Sequence, residues 1–88
     1  MARFIVIHNT PEHATQDEFI QRAKGVAASL PPDTKWLNSW SAGEVAKLFC
    51  EWEAPDAEAV RASLKPVIDL LPIEEIHEVI WINPEWYK

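Results

Sequence analysis

The sequence predicts an α+β domain in which four antiparallel strands carry two helices on one face. Segments with the patterns of strands and helices follow one another in the order β-α-β-β-α-β within only 88 residues. The connections between them are short, so the segments must fold back on one another in a single domain that spans residues 1–88. This order, with such connections, is typical of the two-layered ferredoxin-like fold.

The first strand and the first helix carry clear boundary signals. Residues 3–8 (RFIVIH) combine β-branched and aromatic side chains and are followed by a turn signal, Asn-Thr-Pro. Thr15 and Glu18 have the spacing of a capping box, and apolar residues then recur at helical spacing. The helix is therefore predicted over residues 15–30, where two prolines stop it.

A β-hairpin is predicted in the middle of the chain. Residues 34–41 (TKWLNSWS) alternate, so Trp36, Asn38 and Trp40 are expected on one face of the strand. A short turn that contains a glycine follows, and residues 45–53 form the returning strand. The three side chains would then share one surface of the sheet.

The second helix and the last strand complete the order. Asp56 is a good helix N-cap, and the apolar spacing continues a helix to about Lys65, just before Pro66. Residues 74–82 (EEIHEVIWI) are predicted as the last strand, which closes at an Asn-Pro pair.

Both faces of the predicted sheet are apolar. On the first strand Phe4 and Val6 lie on one side, and Ile5 and Ile7 lie on the other. A strand that is apolar on both faces is buried on both, yet the two helices cover only one face. Five tryptophans add more apolar surface than one thin layer can hide. We therefore expect a homodimer that packs sheet against sheet, as in a dimeric α+β barrel.

Charge and composition limit the class of partner. A net charge of −6 and a pI of about 4.9 argue against nucleic acid and against anionic membrane surfaces. No stretch of the sequence approaches the ~20 apolar residues of a membrane-spanning helix. The single cysteine cannot form an internal disulfide, and the N-terminus lacks the long apolar stretch of a signal peptide. These features predict a cytoplasmic protein.

Three side chains are candidate metal ligands. His8 ends the first strand, Cys50 lies in the returning hairpin strand, and His77 lies in the last strand. In the ferredoxin-like order the first strand lies between the other two, so the three side chains could converge. Imidazole and thiolate are ligands that suit zinc, nickel or copper.

Each of these residues also has a structural explanation. A lone cysteine in a strand is commonly a small buried hydrophobe, and His77, with glutamates nearby, is compatible with a position facing solvent. His13, in the loop before the first helix, is expected to be solvated. No pair has a ligand spacing such as C-x-x-C or H-x-x-x-H, so spacing alone does not establish a metal site.

The tryptophans pose a similar choice. Trp36, Asn38 and Trp40 could line a ligand pocket between the helices and the sheet, in which the amide orients the ligand. Alternatively, the aromatic side chains form core or dimer interface, and Asn38 faces water or the turn. The sequence leaves both interpretations open.

Three short motifs resemble those of a known family. They are VIH at 6–8, FCEWEAPDAEAV at 49–60 and EEIHEV at 74–79. On these motifs the chain resembles a family of small bacterial ferredoxin-like domains of unknown function, for which nickel binding has been described. The resemblance implies a dimeric α+β arrangement and a role in holding a metal ion or a small ligand, with His8 and Cys50 at matching positions. The chain differs from the family in having no histidine in either predicted helix.

Three functions are compatible with these features. The first is a small binding domain that holds nickel, another divalent transition metal or a small ligand between sheet and helices. The second is a protein-interaction or stress-associated module without chemistry, in which the Trp86–Tyr87 tail contacts a partner. The third is a cofactor-free dimeric α+β barrel enzyme, similar to monooxygenases or isomerases. In that enzyme Asn38, Trp40 and His77 would orient an aromatic substrate, and the histidine would act as general base.

Overall fold

The computed structural model describes residues 1–10 and 15–88. The helices and strands follow the predicted order, with short 3₁₀ turns beside them. His13, which the sequence predicts to be solvated, lies outside the described residues. The bounds are β1 (Ala2–Asn9), α1 (Gln16–Ala28), β2 (Lys35–Ala42), β3 (Lys47–Ala54), α2 (Ala57–Leu64) and β4 (Ile73–Val79).

These strands form one antiparallel sheet in the order β2-β3-β1-β4. Both helices lie on the same face of the sheet, because their buried side chains join one core with alternate residues of β1 and β3. The predicted α+β ferredoxin-like fold is therefore confirmed. The core contains Phe4, Val6, Val26, Cys50, Trp52, Ala54, Val60, Leu64 and Val67.

Both helices begin at the predicted caps. Thr15 Oγ1 accepts a hydrogen bond from the Glu18 backbone N–H at 3.2 Å, and Asp56 Oδ1 accepts one from the Ala59 N–H at 2.8 Å. Each cap satisfies a backbone donor that has no partner inside its helix. α1 ends at Ala28, ahead of the two prolines. In the described part of the chain, every helix is too short or too polar to span a membrane.

β2 contains a β-bulge that its alternating sequence does not reveal. Trp36 pairs with Trp52, but Asn38 pairs with the next residue of β3, Glu51, so Leu37 is an extra residue. A bulge of this kind reverses the alternation of side chains along the strand. Trp36 therefore faces the helices, while Asn38 lies on the opposite face. The expectation that these two side chains share a face is wrong.

The hairpin loop is longer than the predicted turn, so β3 begins at Lys47. Gly43–Val45 form a 3₁₀ turn, and Ala46 follows in the left-handed conformation with a φ of 53°. The Ala46 carbonyl oxygen then accepts a hydrogen bond from the Thr10 N–H at 2.9 Å. This bond connects the hairpin to the end of β1.

β4 ends at Val79, so residues 80–82 do not continue the predicted strand. Val79 pairs with Arg3, and β1 begins only one residue before Arg3. The chain beyond Val79 therefore has almost no neighbouring strand with which to pair. Trp81 is 56% exposed, and its ring packs edge-to-face on Trp86 with the ring centroids 5.2 Å apart.

The sheet face away from the helices, here called the open face, carries both apolar and charged side chains. Ile5 and Ile7 of β1 lie on it beside Phe49 of β3, and all three are half-buried. Arg3 and Glu51 also lie on it, with their charged groups 3.4 Å apart. The helices leave this surface uncovered.

Candidate functional site

A cavity of about 210 Å³ lies between the two helices and the sheet. Its walls are almost wholly apolar, although His8, Arg22 and Cys50 belong to the lining. The largest apolar side chains of the lining are Phe19, Ile20, Trp36, Leu48, Trp52, Leu64 and Leu71.

His8 is fully buried at this cavity. It follows Phe4 and Val6 at alternate positions of β1, so the pleat of the strand turns its ring toward the helices. Its Nδ1 lies 3.0 Å from the carbonyl oxygen of Leu71. Because a carbonyl can only accept, Nδ1 carries the proton and donates, which leaves the lone pair of the neutral ring on Nε2.

The second ring nitrogen of His8 is unpartnered. Nε2 is buried and has no hydrogen-bond partner within residues 1–10 and 15–88. Burial lowers the pKa of His8, although the backbone carbonyls of Leu71 and Pro72 oppose this shift. The imidazole is therefore neutral at neutral pH. Leaving such an acceptor unsatisfied costs about 1–3 kcal/mol.

Cys50 shares the helix-facing side of the sheet with His8. It pairs with Val6, and His8 pairs with Leu48, so the cysteine and the histidine are diagonal neighbours. Diagonal neighbours in a sheet lie roughly 7–8 Å apart. The Ser39 hydroxyl donates a hydrogen bond to Cys50 Sγ at 3.1 Å. Burial raises the pKa of the Cys50 thiol more than this bond lowers it, so the thiol keeps its proton at neutral pH.

Trp52 is a second buried residue of the cavity with an unpartnered polar atom. It is 1% exposed and stacks on Trp36, with the ring centroids 6.1 Å apart and the planes at 12°. Trp36 Nε1 donates to Ser39 Oγ at 2.8 Å, but Trp52 Nε1 has no partner in the described part of the chain. A buried indole N–H usually finds an acceptor.

The sequence favoured a core or interface position for Trp52 over a place in an aromatic ligand pocket. The available signal was its position two residues after Cys50 in the same strand, which places both side chains on one face.

His77 lies on the other side of the sheet. It pairs with Ile5 of the open face, its side chain is 56% exposed, and its Nε2 is 3.5 Å from Glu75 Oε1. The predicted convergence of His77 with His8 and Cys50 is thereby corrected, because residues directly opposite on paired strands share a face. Among the described residues, no group of three or more His, Cys, Asp or Glu side chains could hold a metal ion.

Of the three residues predicted to form a ligand pocket, Trp36 lines the cavity, and the other two do not. Asn38 and Trp40 lie on the open face, because the bulge at Leu37 reverses the strand. The Asn38 amide donates a hydrogen bond to Glu51 Oε1 at 2.9 Å, and Trp40 is 53% exposed. The predicted pocket is therefore divided between the two faces of the sheet.

The family model described as nickel responsive protein SCO4226-like matches residues 4–79. The chain belongs to this family. The resemblance to a family of small ferredoxin-like domains is thus confirmed. The matched segment contains both His8 and Cys50. No curated protein matches the chain significantly.

Three solved structures are similar to this SCO4226-like chain. SCO4226 from Streptomyces coelicolor A3(2) has a TM-score of 0.74 and 24% identity, over 93% of this chain and 100% of that one. Protein YJCS has a TM-score of 0.56 and 14% identity, over 93% of this chain and 100% of its own. A proposed antibiotic biosynthesis monooxygenase from Chloroflexus aurantiacus J-10-fl has a TM-score of 0.56 and 17% identity, over 93% of each chain. At these identities the likeness shows the fold alone.

The SCO4226-like chain offers a metal ion few donors at the cavity. His8 and Cys50 are the imidazole and thiol residues of its lining, whereas protein sites built from imidazole and thiolate use three or four protein ligands. A ligating thiol must also lose its proton, and burial opposes that loss at Cys50. The described donors therefore do not complete a nickel site by themselves.

Proposed function

We propose that this member of the SCO4226-like family is a small binding domain that holds a neutral, largely apolar molecule between its helices and its sheet. The almost wholly apolar cavity of about 210 Å³ between the helices and the sheet carries this proposal. The apolar walls would disfavour a charged ligand, because a buried charge needs a partner.

The size of the cavity also supports this proposal. Small-molecule sites are concave and mostly apolar, with a few polar groups that orient the ligand. Drug-sized ligands occupy roughly 300–1,000 Å³, so a cavity of about 210 Å³ suits something smaller. An apolar cavity of ~150 Å³ already holds benzene.

An NMR titration with toluene tests the proposal. We expect the signals of His8, Trp36 and Trp52 to shift as toluene enters the cavity, while the indole signal of Trp40 on the open face stays unchanged. The variant Val26→Phe should abolish these shifts, because the larger ring fills the cavity. The unchanged Trp40 signal would show that the variant is still folded. Absence of cavity shifts in the wild-type protein at toluene saturation would refute the proposal.

Nickel is a second candidate ligand, and the family description is the observation that favours it. Chelator-treated protein would be titrated with nickel by calorimetry, alongside the variants His8→Asn, Cys50→Ser and His77→Asn. If the cavity donors take part, the first two variants bind more weakly and the third binds as the wild type does. Failure to bind nickel more tightly than ~10⁻⁴ M would dismiss this candidate.

We further propose a homodimer in which two copies pack their open faces together. Ile5, Ile7 and Phe49 make this face apolar, and Trp40 on it is 53% exposed. Sedimentation velocity at micromolar concentration should show a dimer, which Ile7→Glu should convert to a monomer by burying a charge. A charge change on the helix side, Arg61→Glu, should leave the dimer intact. A monomeric wild-type protein would contradict the proposal.

The proposal does not extend to catalysis. Asn38, Trp40 and His77, the residues expected to orient a substrate, lie on the open face rather than at the cavity. A similar fold in a proposed monooxygenase that is 17% identical does not assign an activity to this chain. A cytoplasmic location likewise stays a prediction, which cell fractionation would test.

A further inference from the structure

The two helices are attached to the sheet to very different degrees. α2 buries Val60, Ser63 and Leu64 within its eight residues. α1, whose thirteen residues are all described, buries Val26 alone. Leu30, just beyond the end of α1, packs against the same core as Val26. The C-terminal end of α1 is therefore its anchored end.

The first part of α1 lies over the cavity without reaching the core. Residues 16–23, here called the lid, contain no buried side chain, although Phe19 and Ala23 are half-buried and line the cavity. Ile20 also belongs to the lining and is 42% exposed. Because empty space offers no atoms to contact, the lid gains little packing energy on the side that faces the cavity.

One side chain connects the lid to the rest of the protein. Arg22 donates to both carboxylate oxygens of Asp69, at 2.8 and 3.1 Å, and to the Pro66 carbonyl oxygen at 2.8 Å. Among the residues that the structure describes, no other hydrogen bond joins α1 to another element. The hydrogen bond from Arg22 lowers the pKa of Asp69, so the pair is charged at neutral pH.

The segment that receives Arg22, residues 65–71, is itself fixed. Val67 is 2% exposed and belongs to the core, and the Leu71 carbonyl oxygen accepts the hydrogen bond from His8 Nδ1. Val67 and Leu71 also line the cavity, so Arg22 bridges two of its walls. Since these walls are almost wholly apolar, Arg22 contributes its methylene stem to them while its guanidinium reaches outward.

We propose that the lid opens and closes over the cavity about its anchored end at Val26, and that Arg22 is its latch. When the bonds from Arg22 to Asp69 and Pro66 break, the lid moves away from residues 65–71 and a ligand enters or leaves. This inference rests on the proposed binding function and adds how access to that site is regulated. Exposed ion pairs are weak and screened by salt, so such a latch breaks and re-forms readily.

Chemical labelling of Cys50 measures the opening without any ligand. Cys50 is the single cysteine of the chain, lines the cavity and is 4% exposed. A small neutral reagent, methyl methanethiosulfonate, would label the wild-type protein, Asp69→Asn, Arg22→Met and the control Glu85→Gln. Arg22→Met keeps an apolar stem against the cavity. Glu85→Gln makes the same charge change as Asp69→Asn in a comparably exposed ion pair, with Lys88 in the tail.

We expect labelling to be about twofold to fivefold faster in Asp69→Asn and Arg22→Met than in the wild-type protein and Glu85→Gln. Added salt should speed the labelling of the wild-type protein and leave that of Asp69→Asn unchanged. Low concentrations of urea should change these rates little, because opening the lid exposes little surface. Labelling through global unfolding would instead rise steeply with urea. In exchange NMR spectra, toluene should dissociate from the two latch variants faster by the same factor.

The outcomes separate the lid from the binding function. Equal labelling rates in all four proteins, or rates that rise steeply with urea, overturn the lid, and toluene binding to the wild-type protein would then still support the binding function. If labelling follows the expectation and toluene does not bind, the lid is supported and the proposed binding function fails. Bound toluene that leaves the wild-type protein and both latch variants at one rate overturns the control of access by Arg22.

Discussion

Acidification should destabilise this protein through one buried imidazole, that of His8. In the unfolded chain a histidine takes up its proton near pH 6.5, whereas burial lowers the pKa of His8 in the folded state. Between these two pKa values the unfolded state binds more protons, so the free energy of unfolding falls as the pH falls. The contribution of the neutral His8 imidazole to stability is complete above about pH 6.5. It is lost as the pH falls toward the pKa of His8 in the folded state.

The size of this effect follows from the proton count. One proton that only the unfolded state binds changes the free energy of unfolding by at most about 1.4 kcal/mol per pH unit. The other titratable groups of the lining add little to this slope, because burial keeps the Cys50 thiol protonated and Arg22 stays charged beside Asp69. A loss of about 1 kcal/mol is a sizeable part of the roughly 5–15 kcal/mol that stabilises a small domain.

Urea unfolding followed by tryptophan fluorescence would measure this slope. The wild-type protein, His8→Asn and the control His77→Asn would be compared at one protein concentration, with chelator present, from pH 7.5 to pH 5.5. We expect the wild-type protein and His77→Asn to lose stability more steeply than His8→Asn. Subtracting the His8→Asn curve removes the contribution of the carboxylates. Parallel curves for all three proteins would refute the burial argument.

Three further predictions concern the helices and the tail. Asp56→Ala should lower the free energy of unfolding by about 1 kcal/mol, since the Ala59 N–H loses its cap; an unchanged urea midpoint would contradict this. Gly25→Ala should raise it by about 0.5–1 kcal/mol, because an added Cβ meets no atom within 4 Å; a lower midpoint would show strain. Deleting residues 84–88 should leave the melting temperature unchanged, because Trp86 and Tyr87 are 60% and 76% exposed. Loss of partner capture in that deletion would support an interaction role for the tail, whereas unfolding would show that the tail is structural.

Much of the fold was predictable because its signals are local. Periodicity placed the strands and helices in order, and the caps at Thr15 and Asp56 were read from residues only a few positions apart. The same alternation that turns Val6 into the core turns His8 inward. A candidate role for His8 was therefore accessible from the sequence.

The composition of the site depended on pairings that the sequence does not encode locally. Whether His77 joins His8 is decided by the register of β4 on β1, in which His77 pairs with Ile5 on the open face. The bulge at Leu37 arises only where β2 meets β3, and it separates Trp36 from Asn38. A one-residue change in register moves a side chain to the other face of a sheet, so local alternation cannot settle such placements.

The sequence by itself determined the order of the elements, their caps and the fact that His8 shares a face of β1 with Phe4 and Val6. Only the tertiary structure decided which polar atoms lack partners, because hydrogen bonding depends on distant parts of the chain. Leu71 satisfies one nitrogen of His8, and within the described residues nothing satisfies the other or Trp52 Nε1. Periodicity reports which face a side chain takes, but packing between elements far apart in the chain determines what that side chain meets.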